Sequence, residues 1–401
     1  MTTKKRILLG LTGGIAAYKS AQLVRLLVKS GYDVRVALTE SACRFITPVT
    51  MQALSGQTAW TDLWDPRIQD NMGHIELSRD RDLIVVAPAS ANFMAKVVHG
   101  QVDDLLTTMC LARDCPLMVA PAMNRQMWDN PATQRNVAQL RKDGVLFAGP
   151  DAGDQACGET GMGRMHEPEE IFEEIEAFFQ PKVLAGRNVL VTAGPTVEPI
   201  DPVRGITNHS SGKMGYAVAR AARQAGAQVT LVSGPTALAV PAGVTRIGVQ
   251  TAQQMFDAVK RAVPAADVFI AVAAVADYRM ASQAKQKIKK GGGKSMVLTL
   301  VENPDILAYV AKLPNPPFCV GFAAETEKLE AHAKEKRAKK KIPLLAANLA
   351  QSALGADDNE ITLFDAAGTH PLGRSAKVEQ ARKLIAHLAA MLPRGKRSGI
   401  R

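Results

Sequence analysis

Aromatic residues are scarce, 5% of a 401-residue chain, and none is interleaved with its basic runs. Base-stacking platforms need that interleaving, so nucleic acid is not an expected partner despite a formal net charge of +11. Part of the excess sits in the tail PRGKRSGIR and in KEKRAKKK at 334–341, and anionic small molecules account for it equally well. Cysteine is sparse too. The five residues Cys43, Cys110, Cys115, Cys157 and Cys319 are odd in number and lack a CxxC pair. Neither a disulfide framework nor a thiolate metal site is expected, and any special cysteine acts alone. No apolar run reaches membrane-spanning length, and MTTKKRILLG is too quickly broken by glycine to be a secretory signal. The expectation is a cytoplasmic protein with no membrane partner.

What is present has the balance of a globular protein, 47% hydrophobic and 22% charged. At this length two cores are expected rather than one. Two stretches run an apolar strand into a glycine-rich turn and then a helix: ILLGLTGGIAAYK at 7–19 and VLVTAGPTVEPIDPVRGITNHSSGKMG at 189–215. Glycine lets backbone N–H groups approach a phosphate, and the following helix offers its positive end to the anion. One such turn is weak evidence; two, each opening a half of the chain, indicate two nucleotide-handling domains in tandem.

Strand and helix signals alternate in both halves. Ile7 to Leu11, Val34 to Leu38, Leu83 to Ala87 and Leu117 to Ala120 read as buried strands, and Leu23, Leu26 and Leu27 recur at helical spacing before Gly31. Pro88 and Pro121 are expected to begin the loops at the carboxyl ends of two strands, where open α/β sheets place ligands. The second half repeats the pattern with strands at 189–192, 229–233 and 268–273 and helices at 214–224 and 252–263. The fold class is therefore α/β, two doubly wound Rossmann-like domains. The boundary falls near residue 185, giving domains 1–185 and 186–401, and KIKKGGGKS at 287–295 is expected to be a mobile basic loop.

The turn GLTGGIAAYKS lacks the GxGxxG spacing, so a mononucleotide such as a flavin phosphate fits better than NAD. With that turn go PASAN at 88–92, NMGHIELSR at 71–79, PAMNRQMW at 121–128 and ACGETGMGRM at 156–165. In these motifs the first half resembles the flavin-dependent cysteine decarboxylases, phosphopantothenoylcysteine decarboxylases among them, over nearly all of residues 5–180. The resemblance implies a flavodoxin-like domain holding FMN through Gly13, Gly14, Ser41, Ser90 and Asn92. It implies His74 as a base or positioning group, Asn124 holding the substrate's cysteinyl carboxylate, Met127 against the substrate, and Cys157 on a glycine-flanked flap as the proton donor. The chemistry needs such a set: decarboxylating an ordinary cysteine amide leaves an unstabilised carbanion, and a flavin that oxidises the thiol carbon provides an electron sink.

The string Asn208 to Gly215, with AAVADY at 273–278, KIKK at 287–290, NPDIL at 303–307, GFAAET at 321–326 and the lysine helix, resembles the phosphopantothenate–cysteine ligases. The resemblance implies that the carboxylate of 4′-phosphopantothenate attacks the α-phosphate of CTP, with Mg2+ on the triphosphate, and that L-cysteine then attacks the acyl-cytidylate. Lys287 would support the first step and Asn208 the second, with Arg204, Ala273, Asp277, Phe322, Lys336 and Lys340 binding substrates. Lys336 and Lys340 share a helix face, while Lys334, Lys339 and Lys341 read as a solvated one. Where the family often has an aromatic residue before the Ile-Thr pair, this chain has Gly205. The resemblance also implies a homo-oligomer, with trimeric contacts in the first half and dimeric contacts in the second. A tandem NAD(P) dehydrogenase and a non-catalytic scaffold are the competing readings; the first conflicts with the spacing at Gly13 and Gly14, the second with the presence of His74 and Cys157.

Overall fold

The computed structural model describes residues 4–65, 67, 73–156, 158–289, 296–325, 327–349 and 356–393. It divides into two compact units, Met1–Glu176 and Ala177–Arg401. Among the described residues no helix is long and apolar enough to cross a membrane.

In the first unit β1 (Arg6–Leu11), β2 (Asp33–Leu38), β3 (Ala59–Trp60), β4 (Leu83–Ala89), β5 (Leu117–Pro121) and β6 (Leu146–Phe147) form a parallel sheet in the order β3-β2-β1-β4-β5-β6. Without the two-residue edge strand β3 the order reduces to that of flavodoxin-like sheets. Ile7, Leu8 and Leu9 are fully buried, as a strand covered by helices on both faces requires. The helix Ala17–Lys29 turns Leu23, Val24 and Leu27 inward and is followed by Gly31 at φ +87°, a left-handed turn that glycine adopts without strain. The prolines do not end their strands: β4 runs through Pro88 to Ala89 and β5 includes Pro121. The missing N–H is accommodated by a shift of register between β4 and β5 from Val86 to Ala89. Beyond the sheet, β7 (Asp151–Asp154) and β8 (Thr160–Arg164) make a separate antiparallel hairpin.

The second unit holds β9 (Asn188–Ala193), the small pair β10 (Glu198–Pro199) and β11 (Gly205–Ile206), then β12 (Gln228–Ser233), β13 (Val244–Gly248) and β14 (Val268–Ala271). It continues with a second small pair, β15 (Tyr278–Met280) and β16 (Leu300–Glu302), then β17 (Phe318–Glu325), β18 (Leu344–Leu349), β19 (Asp358–Phe364) and β20 (Thr369–Ala376). The main sheet runs β13-β12-β9-β14-β17-β18-β19-β20, parallel as far as β18 and antiparallel over its last two strands. Helices Lys213–Gln224 and Lys377–Met391 pack on one face through Val218, Ala222, Leu384 and Leu388. Helices Ala252–Ala262, Ile306–Ala311 and Leu329–Lys340 cover the other through Met255, Val259, Val310 and Ala333. The strand signals read from sequence stop at 268–273 because later strands are interrupted by Gly321, Asn348 and Pro371.

Both sheets change winding direction at one gap, between β1 and β4 in the first unit and between β9 and β14 in the second, and such gaps are where ligands sit. In the second unit the chain closes tightly around that gap. A Cβ added to Gly234 would overlap the carbonyl oxygen of Pro195. The Gly234→Ala substitution is expected to cost about 3 kcal/mol or more and to lower the Tm by roughly 6–12 °C, read by thermal unfolding; an unchanged Tm would contradict this packing.

Candidate active sites at the two switch points

In the first unit, the ends of β1 and β4 are tied together by side chains. Thr12 donates its hydroxyl to the Pro88 carbonyl (2.7 Å) and accepts from the Ser90 amide (3.0 Å), while Ser20 donates to the Ala87 carbonyl (2.6 Å). Ser90 in turn caps the helix Ala91–His99, accepting from the Phe93 amide. The helix Ala17–Lys29, by contrast, has no side-chain cap at Ala16, which leaves its positive end available to an anion. A Cβ on Gly13 would stand 2.5 Å from that of Ser41, whereas one on Gly14 would meet nothing within 4 Å. The first glycine is thus required by packing, and the second lines an open space.

That space is a cleft of about 750 Å³, within the range of small-molecule sites, bordered by Gly13, Gly14, Ile15, Tyr18, Ser90, Asn124, Met127 and the hairpin residues Gln155 and Gly163. Apolar Ile15, Met123 and Met127 suit a planar ring, and the glycine turn suits a phosphate. The hairpin is held against the loop before the helix Arg125–Asp129: the Met123 amide donates to the Gly163 carbonyl (3.0 Å) and the Arg125 amide to the Gln155 side chain (2.9 Å). Gly163, at φ +119°, is obligatory there, since a Cβ would stand 2.5 Å from the Met123 carbonyl oxygen.

Of the residues expected in this site, Gly13, Gly14, Ser90, Asn124 and Met127 border the cleft. Asn124 Oδ1 accepts from the Met127 amide (3.0 Å), capping the short helix, and its Nδ2 donates to Gln126 Oε1 (3.0 Å). Ser41 touches the cleft only through Gly13, Asn92 is exposed in the first turn of the next helix, and His74 lies half-buried on helix Gly73–Ser78, outside the lining. Cys157 falls outside the described residues; Ala156 before it borders the cleft. A residue that motif reading passed over is Lys19. It is 7% exposed, lines the cleft, and donates to the Met165 carbonyl (3.0 Å) and to Glu167 Oε1 (2.9 Å). Burial would raise the Glu167 carboxyl, but Lys19 and Arg164 outweigh it and hold the group below its ordinary value.

The second cleft, about 590 Å³, opens beyond the carboxyl ends of β9, β14 and β17. Ala273, Asp277, Phe322, Lys336 and Lys340 all line it, as the resemblance implies. Lys339 lines it too, contrary to the solvated face that spacing assigns it; three lysines of one turn share the wall. Lys340 donates to both oxygens of Asp305 (2.9 Å each), and Asp305 also accepts from the Ala308 amide at the start of its helix. Burial pushes the Asp305 carboxyl up, yet these donors and the nearby Lys336 keep it below its usual range.

Beside this cleft Asn208 donates to the Ala274 carbonyl (2.5 Å) and accepts from the Ser210 amide (3.0 Å). Arg204 lies outside the lining. It grips buried Asp201 through Nε (3.0 Å) and Nη2 (2.5 Å) and donates onward to the Ile288 carbonyl (2.9 Å), while the Ile288 amide donates to Asp201 (3.1 Å). This pair holds the Asp201 carboxyl well below the usual carboxylate range and fixes the backbone next to exposed Lys287. Residues 290–295 of the expected basic loop lie outside the described residues. A Cβ on Gly205 would stand 2.8 Å from Val197 and 3.1 Å from the Glu198 carbonyl oxygen, so the glycine lets β10 and β11 lie close.

Two α/β units, each with a cleft at its switch point, define a tandem protein of the nucleotide-handling class. A family model described as Flavoprotein matches residues 1–180, and one described as DNA/pantothenate metabolism flavoprotein C-terminal domain matches 184–392. The coenzyme A biosynthesis bifunctional protein CoaBC of Vibrio vulnificus (strain CMCP6) is 50% identical over 97% of this chain and 98% of its own. The protein of the same name from Escherichia coli (strain K12) is 49% identical over 90% of each chain. The crystal structure of the C-terminal domain of a CoaBC protein is 39% identical, covering 52% of this chain and 97% of its own, with a TM-score of 0.46. The chain belongs to the CoaBC family of bifunctional coenzyme A biosynthesis proteins.

The two glycines of the first turn separate packing from binding. Gly13→Ala is expected to cost about 1–3 kcal/mol through its overlap with Ser41. Gly14→Ala should leave the Tm unchanged and lower flavin retention, measured as flavin absorbance per protein after gel filtration. Loss of stability in Gly14→Ala with full flavin would reverse the assignment.

Proposed function

We propose that the chain joins L-cysteine to 4′-phosphopantothenate at the second cleft and decarboxylates the product to 4′-phosphopantetheine at the first. Residues 1–185 are assigned the FMN-dependent decarboxylation and 186–401 the CTP-dependent ligation. The observation that carries this reading is the pairing of two switch-point clefts, one floored by a glycine turn and apolar walls, the other by a lysine ridge, in a chain half identical to bifunctional relatives over nearly its whole length.

In the second cleft, ligation begins with a carboxylate that water leaves unreactive. Its attack on the α-phosphate of CTP makes an acyl-cytidylate and releases pyrophosphate, and the cysteine amine then displaces CMP. Lys336, Lys339 and Lys340 oppose the triphosphate charge, and Lys287, whose neighbour Ile288 is fixed by the Asp201–Arg204 clasp, supports charge developing in the first step. Asn208 serves the second step from the wall beside Ala274. Oxygen donors on Asp277, Glu302 and Asp305 border the same cleft and suit Mg2+ bound with CTP.

In the first cleft the turn at Gly13 and Gly14 and the uncapped helix end would take the FMN phosphate, with Ser41, Ser90 and Asn92 completing its surroundings. Bound FMN supplies the two-electron sink that makes loss of carbon dioxide feasible. Asn124 orients the cysteinyl carboxylate against Met127, and Cys157 returns a proton to the product. His74 does not line the cleft of its own chain, while Ile15 (63% exposed), Tyr18 (64%) and Met127 (48%) leave the cleft mouth apolar and open. A second copy covering that mouth would complete the site, in keeping with a homo-oligomer.

The test is one incubation of the purified protein with CTP, Mg2+, 4′-phosphopantothenate and carboxyl-labelled cysteine, following pyrophosphate and labelled carbon dioxide together. Both are expected; pyrophosphate alone would remove the decarboxylase reading, and neither would remove both. Asn208→Asp is expected to permit pyrophosphate release and to stall amide formation by about 100-fold or more. Cys157→Ser should leave ligation intact and block formation of the reduced product. Full 4′-phosphopantetheine formation by either variant would strip that residue of its role.

A further inference from the structure

At the antiparallel edge of the second unit, three side chains outside both clefts converge. Asp365 follows β19, His370 lies in β20, and His387 lies on the helix Lys377–Met391. Asp365 Oδ1 is 3.0 Å from His370 Nε2 and Oδ2 is 2.8 Å from His387 Nε2, and the two imidazole rings are 4.7 Å apart, tilted by 51°. The carboxylate is locked from behind by the amides of Ala367 (2.7 Å) and Gly368 (3.0 Å). Burial works to raise its pKa, but the two histidines and two amides more than offset this and hold it at about 2, so it is an anion at neutral pH.

We propose that Asp365, His370 and His387 form a binding site for a divalent transition-metal ion of the zinc class, with a fourth position open to water. Two imidazoles and a carboxylate are a favoured donor set for such ions. Around a tetrahedral zinc with bonds near 2.0–2.1 Å, donor atoms lie about 3.3 Å apart and two imidazole rings roughly 5 Å apart; here each ring nitrogen lies 3.0 or 2.8 Å from a carboxylate oxygen, the rings are 4.7 Å apart, and one donor atom from each residue lies within 4.8 Å of the others. Its ligands come from a turn, a strand and a helix rather than from one flexible segment. The carboxylate side chain is 6% exposed and the two imidazoles 35% and 24%, which puts the anchoring anion inside and leaves the ion a path from solvent. The two amides on Asp365 are the outer hydrogen bonds that orient a metal-binding carboxylate. Entry of the ion requires each ring to carry its single proton on Nδ1 and offer the Nε2 lone pair. The bound ion would fasten the last helix to the sheet edge, where Leu384, Ile385 and Leu388 enter the core.

The test uses the full-length protein, stripped with a chelator and titrated with Zn2+ against a chromophoric competitor. One zinc per chain is expected, and Co2+ in its place should give the intense visible bands of a four-coordinate site. His370→Asn and His387→Asn should each weaken Zn2+ binding by about 100-fold or more while retaining the far-UV spectrum of the folded chain. The proposal is overturned if the wild-type chain retains no zinc, if Co2+ shows only the weak bands of an octahedral ion, or if both variants bind zinc as tightly as wild type. Because Asp151, His166 and Glu170 form a second group able to hold a metal, His166→Asn is the control and should leave zinc binding unchanged; loss of the zinc in that variant would also overturn the proposal, and every readout is independent of either enzymatic activity.

Discussion

In the first unit the hydroxyl of Thr12 donates to the Pro88 carbonyl at the end of β4 and accepts the amide of Ser90, stitching two parallel strands together just where their chains diverge. Buried parallel strands satisfy their backbone groups along the ladder, but at their carboxyl ends the ladder stops and the exposed groups need other partners. Side-chain stitches and helix caps provide some of these partners, and bound ligands the remainder. The second unit meets the same demand differently: the amide of Ala276 donates to the Thr196 hydroxyl, Asn208 bonds to the Ala274 carbonyl, and Ala273 reaches Thr192. Each active cleft is what remains open after these obligations are met.

The charge in the second cleft follows from one helix. Lys336, Lys339 and Lys340 share one wall; Asp305 answers Lys340 at 2.9 Å, Glu325 approaches Lys336 at 4.0 Å, and Asp277 and Glu302 also border the cleft. The cleft thus brings three lysines and three carboxylates together, so its charge is arranged rather than in net excess. The helix is otherwise weakly amphipathic, with Ala333 its buried residue. Its side chains serve the cleft more than the core.

The alternation of apolar runs and glycine turns makes both doubly wound sheets readable before any coordinates, and the glycine turns mark both clefts. The hairpin β7 and β8 is not readable in this way, because Asp151–Asp154 and Thr160–Arg164 lack the apolar alternation of a strand; glycines that permit close backbone approach stand there instead. Lys19 is invisible for another reason. A single lysine inside an apolar helix pattern looks like a surface residue, and only the fold brings Met165 and Glu167 over it. Likewise, i to i+4 spacing selects Lys336 and Lys340, while the cleft wall also takes in Lys339, three positions after Lys336 on the same helix.

The hairpin and the Asn124 loop share a seam in which the Gln126 side chain donates to Glu159, the Arg125 amide to Gln155 and the Met123 amide to Gly163. Asn124 itself holds Gln126. An alteration of Asn124 therefore reaches the hairpin through Gln126, so two parts of the cleft that sequence separates by about thirty positions are mechanically one wall, and a change in either is felt by the other.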